Sequence, residues 1–392
     1  MKYYSTNQET PLTTLKDAVI RGLAPDKGLY MPENIPLLPT SFFSKLHQFS
    51  LQEIGYTVAK SLFGDAVEPL ALKKITEETL SFEIPLVQLR EKIYTLELFH
   101  GPTCAFKDIG GRFMARMLAY FTKNNDREIY VLTATSGDTG SAVASGFYEV
   151  PGIKVIILYP KGKVSHIQEQ QLTTHGKNII ALEVEGTFDD CQKIVKEAFN
   201  HEKLRQDFML TSANSINLAR FLPQSFYYYH AIAQLGSKPR KVVFSVPSGN
   251  FGNLTAGIFA WKSGLPIHKF IAATNINDVV PAYLSSGIFT PRASTKTLAN
   301  AMDVGNPSNF ARMLELFNND HDQMAALISG YKLNDNGIKE YLKKIYKDFG
   351  YIADPHGAIG YAALKNLLQE DETGIFLETA HPAKFIDTTE TI

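Results

Sequence analysis

Two cysteines, Cys104 and Cys191, are too few for a disulfide framework, and no Cys-x-x-Cys or His-Glu-x-x-His spacing offers a zinc site. Net charge is nearly absent as well. The 39 Lys and Arg residues stand against 40 Asp and Glu, so no overall field draws in nucleic acid or an anionic membrane. An anionic ligand must therefore be held by a local site. Extended apolar segments are missing too. The opening Met1-Lys2-Tyr3-Tyr4-Ser5-Thr6-Asn7 lacks the apolar core of a signal peptide, and no segment approaches membrane length. A reducing, cytoplasmic setting is expected. The absence of Gly-x-Ser-x-Gly argues against the nucleophile elbow of α/β-hydrolases.

What is present describes a globular enzyme. The 392 residues are 44% apolar and 20% charged, enough for two or three units of domain size. Up to about residue 84, turns rich in Gly and Pro alternate with helical patterns such as Leu51, Ile54, Val58 and Leu62. Beyond Pro85, short β-rich runs alternate with amphipathic stretches. Strands are expected at 129–132, 155–159, 179–182, 242–246, 270–273 and 374–377. Helices are expected at about 107–123, 139–148, 189–199, 217–234, 253–263 and 336–349. Such alternation predicts an α/β chain with parallel sheets covered on both faces.

One lysine stands out. Glu97 to Asp108 runs from a strand-like segment through Gly101-Pro102 to Lys107, which opens a helix marked by Ile109, Phe113, Met117 and Tyr120. A helix start disfavours the ammonium form, which suits an amine that must bond to an aldehyde. Three strands end in loops leading to helices, where open α/β sheets bind ligands. These loops are Thr135-Ser136-Gly137-Asp138-Thr139-Gly140, Ser248-Gly249-Asn250-Phe251-Gly252-Asn253, and Glu378-Thr379-Ala380-His381-Pro382. The second has the Gly, Ser and Asn density of a phosphate cradle, without the Gly-Lys-Ser/Thr of a Walker A loop.

Taken together with Arg21–Pro32, His100–Asp108, Thr133–Gly140, Ser212–Arg220 and Ala380–Phe385, these segments resemble the threonine synthase branch of the fold-type-II pyridoxal-phosphate (PLP) enzymes. The resemblance spans essentially the whole chain. It implies an α/β fold of two parallel-sheet domains, tryptophan synthase β-like, with an N-terminal helical cap. The cap is expected at 1–84, a large PLP-binding domain at 85–107 with 222–392, and a small mobile domain at 108–221. Lys107 would form the Schiff base with the cofactor and carry proton transfers. Phe106, Asp138, Ser248, Gly249, Asn250, Phe251, Gly252, Asn253 and Thr379 would contact the cofactor, with Thr379 near the ring nitrogen. Thr135, Ser136, Gly137 and Thr139, with Asn250, would meet the substrate's amino-acid end, and Ser215 and Arg220 its phosphate. Asp138 stands where many relatives carry asparagine; an anion there needs a proton or a neighbouring cation.

The implied reaction converts O-phospho-L-homoserine and water to L-threonine and phosphate, in a monomer or homodimer that binds neither nucleic acid nor membrane. The alternatives are a phospholyase that ends in 2-oxobutyrate and a non-catalytic relative that binds PLP. No metal is expected. Cys104 reads as a buried structural thiol, and the run Tyr227-Tyr228-Tyr229 as buried packing.

Overall fold

The computed structural model describes residues 1–123, 127–238 and 240–390. Among these the chain forms strands β1 (Tyr3–Ser5), β2 (Tyr30–Pro32), β3 (Leu86–Arg90), β4 (Ile93–Glu97), β5 (Ile129–Ala134) and β6 (Ile153–Pro160). They continue with β7 (Ile179–Val184), β8 (Met209–Ser212), β9 (Lys241–Pro247), β10 (Lys269–Thr274), β11 (Ile328–Lys332) and β12 (Glu372–Glu378). All six runs expected from β-branched and aromatic residues are strands. Two compact units contain them. One comprises Met1–Pro36, Gly55–Ser81 and Gly101–Gln224; the other comprises Leu37–Ile54, Phe82–His100 and Ser225–Ile392.

The first unit is built on a four-stranded parallel sheet in the order β7-β6-β5-β8, beside the small antiparallel pair β1-β2. The registers Ala134↔Leu158 and Leu132↔Ser212 bring the loops that follow β5, β6 and β8 to one edge of this sheet. Helix Lys107–Thr122 packs against helices Asp138–Phe147, Leu218–Phe221 and Pro69–Thr79. Helix Leu15–Arg21 adds to the same face, so part of the N-terminal region is built into this unit.

The second unit holds a six-stranded sheet in the order β11-β10-β9-β12-β4-β3, parallel except for β3 at its edge. Residues 242–247 of β9 and all of β12 are buried, as expected of central strands covered on both faces. The pairs Phe244↔Ile375 and Ser245↔Phe376 set the carboxyl ends of these strands side by side. Ser248 and Thr379, just beyond those ends, therefore share one sheet edge.

One helix departs from expectation. The stretch 217–234 is not continuous: it divides into Leu218–Phe221, a 3-10 turn Leu222–Ser225 and Phe226–Gln234. Pro223 lacks the N–H that an unbroken α-helix needs there. No described helix is long and apolar enough to cross a membrane.

Candidate active site

In the first unit, Lys107 begins its helix after Phe106, whose side chain cannot cap it. The lysine side chain is 17% exposed; its Nζ lies 5.2 Å from the Phe106 ring centre and 3.8 Å from Asp138 Oδ2. The loop before it is tied to the helix by Asp108, which accepts from Thr103 N at 2.8 Å and Thr103 Oγ1 at 2.6 Å. Cys104 adopts a left-handed backbone (φ 55) in that loop and is half-buried rather than buried.

The loop after β5 is organised from within. Thr135 Oγ1 accepts from Gly137 N at 2.9 Å and Gly140 N at 2.8 Å, which draws the chain into a tight turn around a buried hydroxyl. Ser136 and Thr139 keep partly accessible surfaces, whereas Asp138 is 4% exposed. Burial alone would make that carboxylate costly. Two partners meet it: the Lys107 amine at ion-pair distance, and Gln168 Nε2, which donates to Asp138 Oδ1 at 3.0 Å. Lys107 thus faces a carboxylate as well as the helix dipole, a partner distant in sequence.

The segment after β8 carries half-buried Ser215 and, on helix Leu218–Phe221, Arg220. Asn217 anchors it, accepting from Ala219 N at 3.0 Å and donating to Val19 O at 2.8 Å. The acceptor belongs to helix Leu15–Arg21, and Gly22 at the end of that helix lies against the Asn217 side chain. Arg220 is 2% exposed; burial lowers its guanidinium to about 10, partly offset by Asp108. Its Nη1 meets no hydrogen-bond partner among the described residues. A buried guanidinium nitrogen without an acceptor is costly, and an anion would satisfy it.

In the second unit, β9 leads through residues 248–251 into helix Gly252–Lys262. Ser248 Oγ donates to Asn253 Oδ1 at 2.9 Å, and Asn253 Nδ2 donates to Pro247 O at 2.7 Å, so these side chains tie the loop's ends together. Asn250 is fixed from residues 308–309: its Oδ1 accepts from Ser308 N at 2.6 Å and its backbone oxygen from Asn309 Nδ2 at 3.1 Å. Gly249 is needed because a Cβ there would overlap the Ala301 carbonyl oxygen. Phe251, left-handed at φ 60, gives the helix no side-chain cap. A shaped turn of main-chain N–H groups at an uncapped helix start fits a phosphate.

Thr379 follows β12 and is buried. Its neighbour Glu378 is fully buried; that burial, reinforced by the charge of Asp354, pushes its carboxyl well above the usual range. Asp354 N donates to Glu378 Oε1, Ala380 N donates to Asp354 Oδ2 at 3.0 Å, and His356 Nδ1 lies 2.6 Å from Asp354 Oδ1. The network joins residues far apart in the chain, and its local signal is confined to Asp354-Pro355, which announces a helix start. His100 pairs with Glu97 at 2.7 Å and His381 packs edge-on to Phe99, and Tyr227, Tyr228 and Tyr229 are buried. No group of three or more His, Cys, Asp or Glu among the described residues could hold a metal.

Comparison with known proteins follows these features along the chain. The family model "Pyridoxal-phosphate dependent enzyme" matches residues 80–377, and "Threonine synthase N terminus" matches residues 2–80. Threonine synthase of Haemophilus influenzae is 47% identical over 393 residues, covering 100% of this chain and 91% of its own. The crystal structure of the Escherichia coli enzyme superposes with a TM-score of 0.94 at 41% identity, covering 100% and 91% of the two chains. PLP-bound threonine synthase from Brucella melitensis gives 0.94 at 34% identity, with the same coverages. These relationships do not favour the phospholyase alternative. The chain belongs to the threonine synthase family of pyridoxal-phosphate-dependent enzymes.

Proposed function

We propose that the substrate is O-phospho-L-homoserine and that Lys107 is the amine through which the enzyme holds its cofactor. Overall, phosphate leaves from Cγ, water adds at Cβ, and L-threonine results. Pyridoxal phosphate, when bound, supplies an aldehyde for a lysine and an electron sink for negative charge on carbon. The residues described above fit such a group. Lys107, when free, is the base for the Cα proton, and Asp138 at 3.8 Å steadies its charged form. Phe106 lies beside this amine.

The main-chain N–H groups from Gly249 to Gly252 would receive the cofactor phosphate, with Ser248 and Asn253 holding the turn in shape and Phe251 closing it. Thr379 would offer the ring nitrogen a neutral hydroxyl. Ser136, Gly137 and Thr139 would grip the substrate carboxylate while Thr135 braces their loop from within, and Asn250 would also meet the substrate. Ser215 and Arg220 would take the substrate phosphate. Arginine suits that role because its planar fork can donate to two oxygens at once. We assign the enzyme to the cytoplasm, as monomer or homodimer; neither cysteine forms a disulfide.

The observation that carries this reading is the Lys107 amine, largely buried at a helix start and facing an acidic partner. Purified enzyme with O-phospho-L-homoserine should release threonine and phosphate in equal amounts. Ammonia and 2-oxobutyrate as the main products would overturn the proposed reaction.

A further inference from the structure

Gln168, thirty residues after Asp138, donates a hydrogen bond to its carboxylate. It lies in the first turn of helix His166–Thr173 and is 1% exposed. Its Oε1 accepts from Ser165 N at 3.0 Å while Ser165 Oγ accepts from Gln168 N at 3.3 Å, a capping box that fixes the side chain. With Oε1 occupied, the amide turns its NH2 group to Asp138 Oδ1, and an NH2 group only donates. Asp138 Oδ2 faces the Lys107 amine at 3.8 Å. A donor on one side and an ammonium on the other favour the ionised carboxylate despite its burial. The fit is close: Gly137 has φ +133, and a Cβ there would overlap the Gln168 amide.

We infer that Gln168 is a positioning residue for the lysine chemistry. It keeps Asp138 ionised and directed at Lys107, and so sets the proton affinity of the nitrogen that joins the cofactor. This inference deepens the function proposed above and rests on Lys107 being the cofactor's lysine. Two further charged residues lie on the packed helices of this unit. Asp108 follows Lys107 on the helix, with its oxygens engaged by Thr103, and Arg220 on helix Leu218–Phe221 interacts with Asp108. Neither touches Gln168 through a described hydrogen bond, so replacing Gln168 reaches Lys107 by way of Asp138.

The test is a pH titration of the visible absorbance of the holoenzyme in wild type, Gln168→Met, Asp138→Asn and the double variant. Gln168→Met keeps the length and removes the donor. Its titration midpoint should fall by about one unit as the carboxylate's support is lost. Asp138→Asn should lower it at least as far, and the double variant no further. Gly137→Ala, which displaces the amide with Gln168 still present, should move the midpoint the same way. Ser165→Ala should reduce thermal stability and leave the midpoint alone, as expected for a cap. An unmoved midpoint in both Gln168→Met and Gly137→Ala would overturn the inference, as would an additive fall in the double variant. A wild-type holoenzyme with no visible band at any pH would instead overturn the assignment of Lys107, and this inference with it.

Discussion

The two units carry their candidate residues in different chemical forms. The first presents charged side chains: Lys107, Asp138 and Arg220, each on the first or last turn of a helix. The second presents backbone and neutral groups, the 248–253 turn and the Thr379 hydroxyl, with nearby carboxyls pushed toward their protonated forms. Burial raises Asp303 to about 6 and Glu378 well above its ordinary value. Their scaffolds differ in the same sense. The edge strand β7 of the first sheet leaves Ile180 and Leu182 exposed, whereas helix Pro355–Leu367 of the second unit is buried from Pro355 to Leu364 against its sheet. The division teaches that proton-carrying groups and shape-defining groups need different surroundings. A cradle made of main chain needs a stiff core behind it, and an amine that gains and loses a proton needs charged neighbours.

Substitutions separate the two kinds of surroundings. Arg220→Met should have the largest effect, costing about 2–4 kcal/mol of transition-state binding, roughly 30- to 1000-fold in kcat/KM. Stability should change far less, since a buried guanidinium with an unsatisfied nitrogen contributes little net. Kinetics and urea unfolding measured together decide it; loss of stability with unchanged kinetics would make Arg220 a structural cation. In the second unit, Gly249→Ala should cost about 1–3 kcal/mol through overpacking on Ala301. That cost should appear as faster loss of cofactor on dialysis, with proton-dependent spectra unchanged in midpoint.

The buried Glu378 carboxyl of the second unit responds to pH. Its folded form holds a proton that the unfolded chain releases from about its ordinary value of 4.5 upward. Its contribution is therefore fully present below that value and lost as pH rises toward the folded value. Glu378→Gln has no such proton to release. It should flatten this part of the stability–pH curve, read from urea midpoints across the range; an unchanged slope would count against a protonated Glu378. The smallest effect belongs to Thr133→Val in β5. Thr133 Oγ1 is buried with no partner among the described residues, so the swap should leave kinetics alone and stabilise by about 0.5–1 kcal/mol.

Much of this architecture is legible in the chain because central parallel strands are nearly continuous apolar runs, and the glycine loops punctuate them. The strands that escaped notice lack that signal. β8 is only Met209-Leu210-Thr211-Ser212, and β11 is an edge strand with Gly330 at its centre. Pro223 could have warned that 217–234 would break, but the apolar periodicity on both sides concealed it. The candidate residues were legible where they sit in contiguous motifs. Their partners were not: Gln168 reaches Asp138 across thirty residues, and Asp354 reaches Glu378 across twenty-four. The burial of Arg220 was equally hidden, because it depends on the packing of helix Lys107–Thr122 against helix Leu218–Phe221.

Reductive trapping with borohydride, followed by peptide mass spectrometry, locates the lysine that holds the cofactor. The holoenzyme should carry one reduced cofactor, on the peptide that contains Lys107, and Lys107→Ala should carry none. A tag on any other lysine, or one that survives in Lys107→Ala, would show that Lys107 does not hold the cofactor.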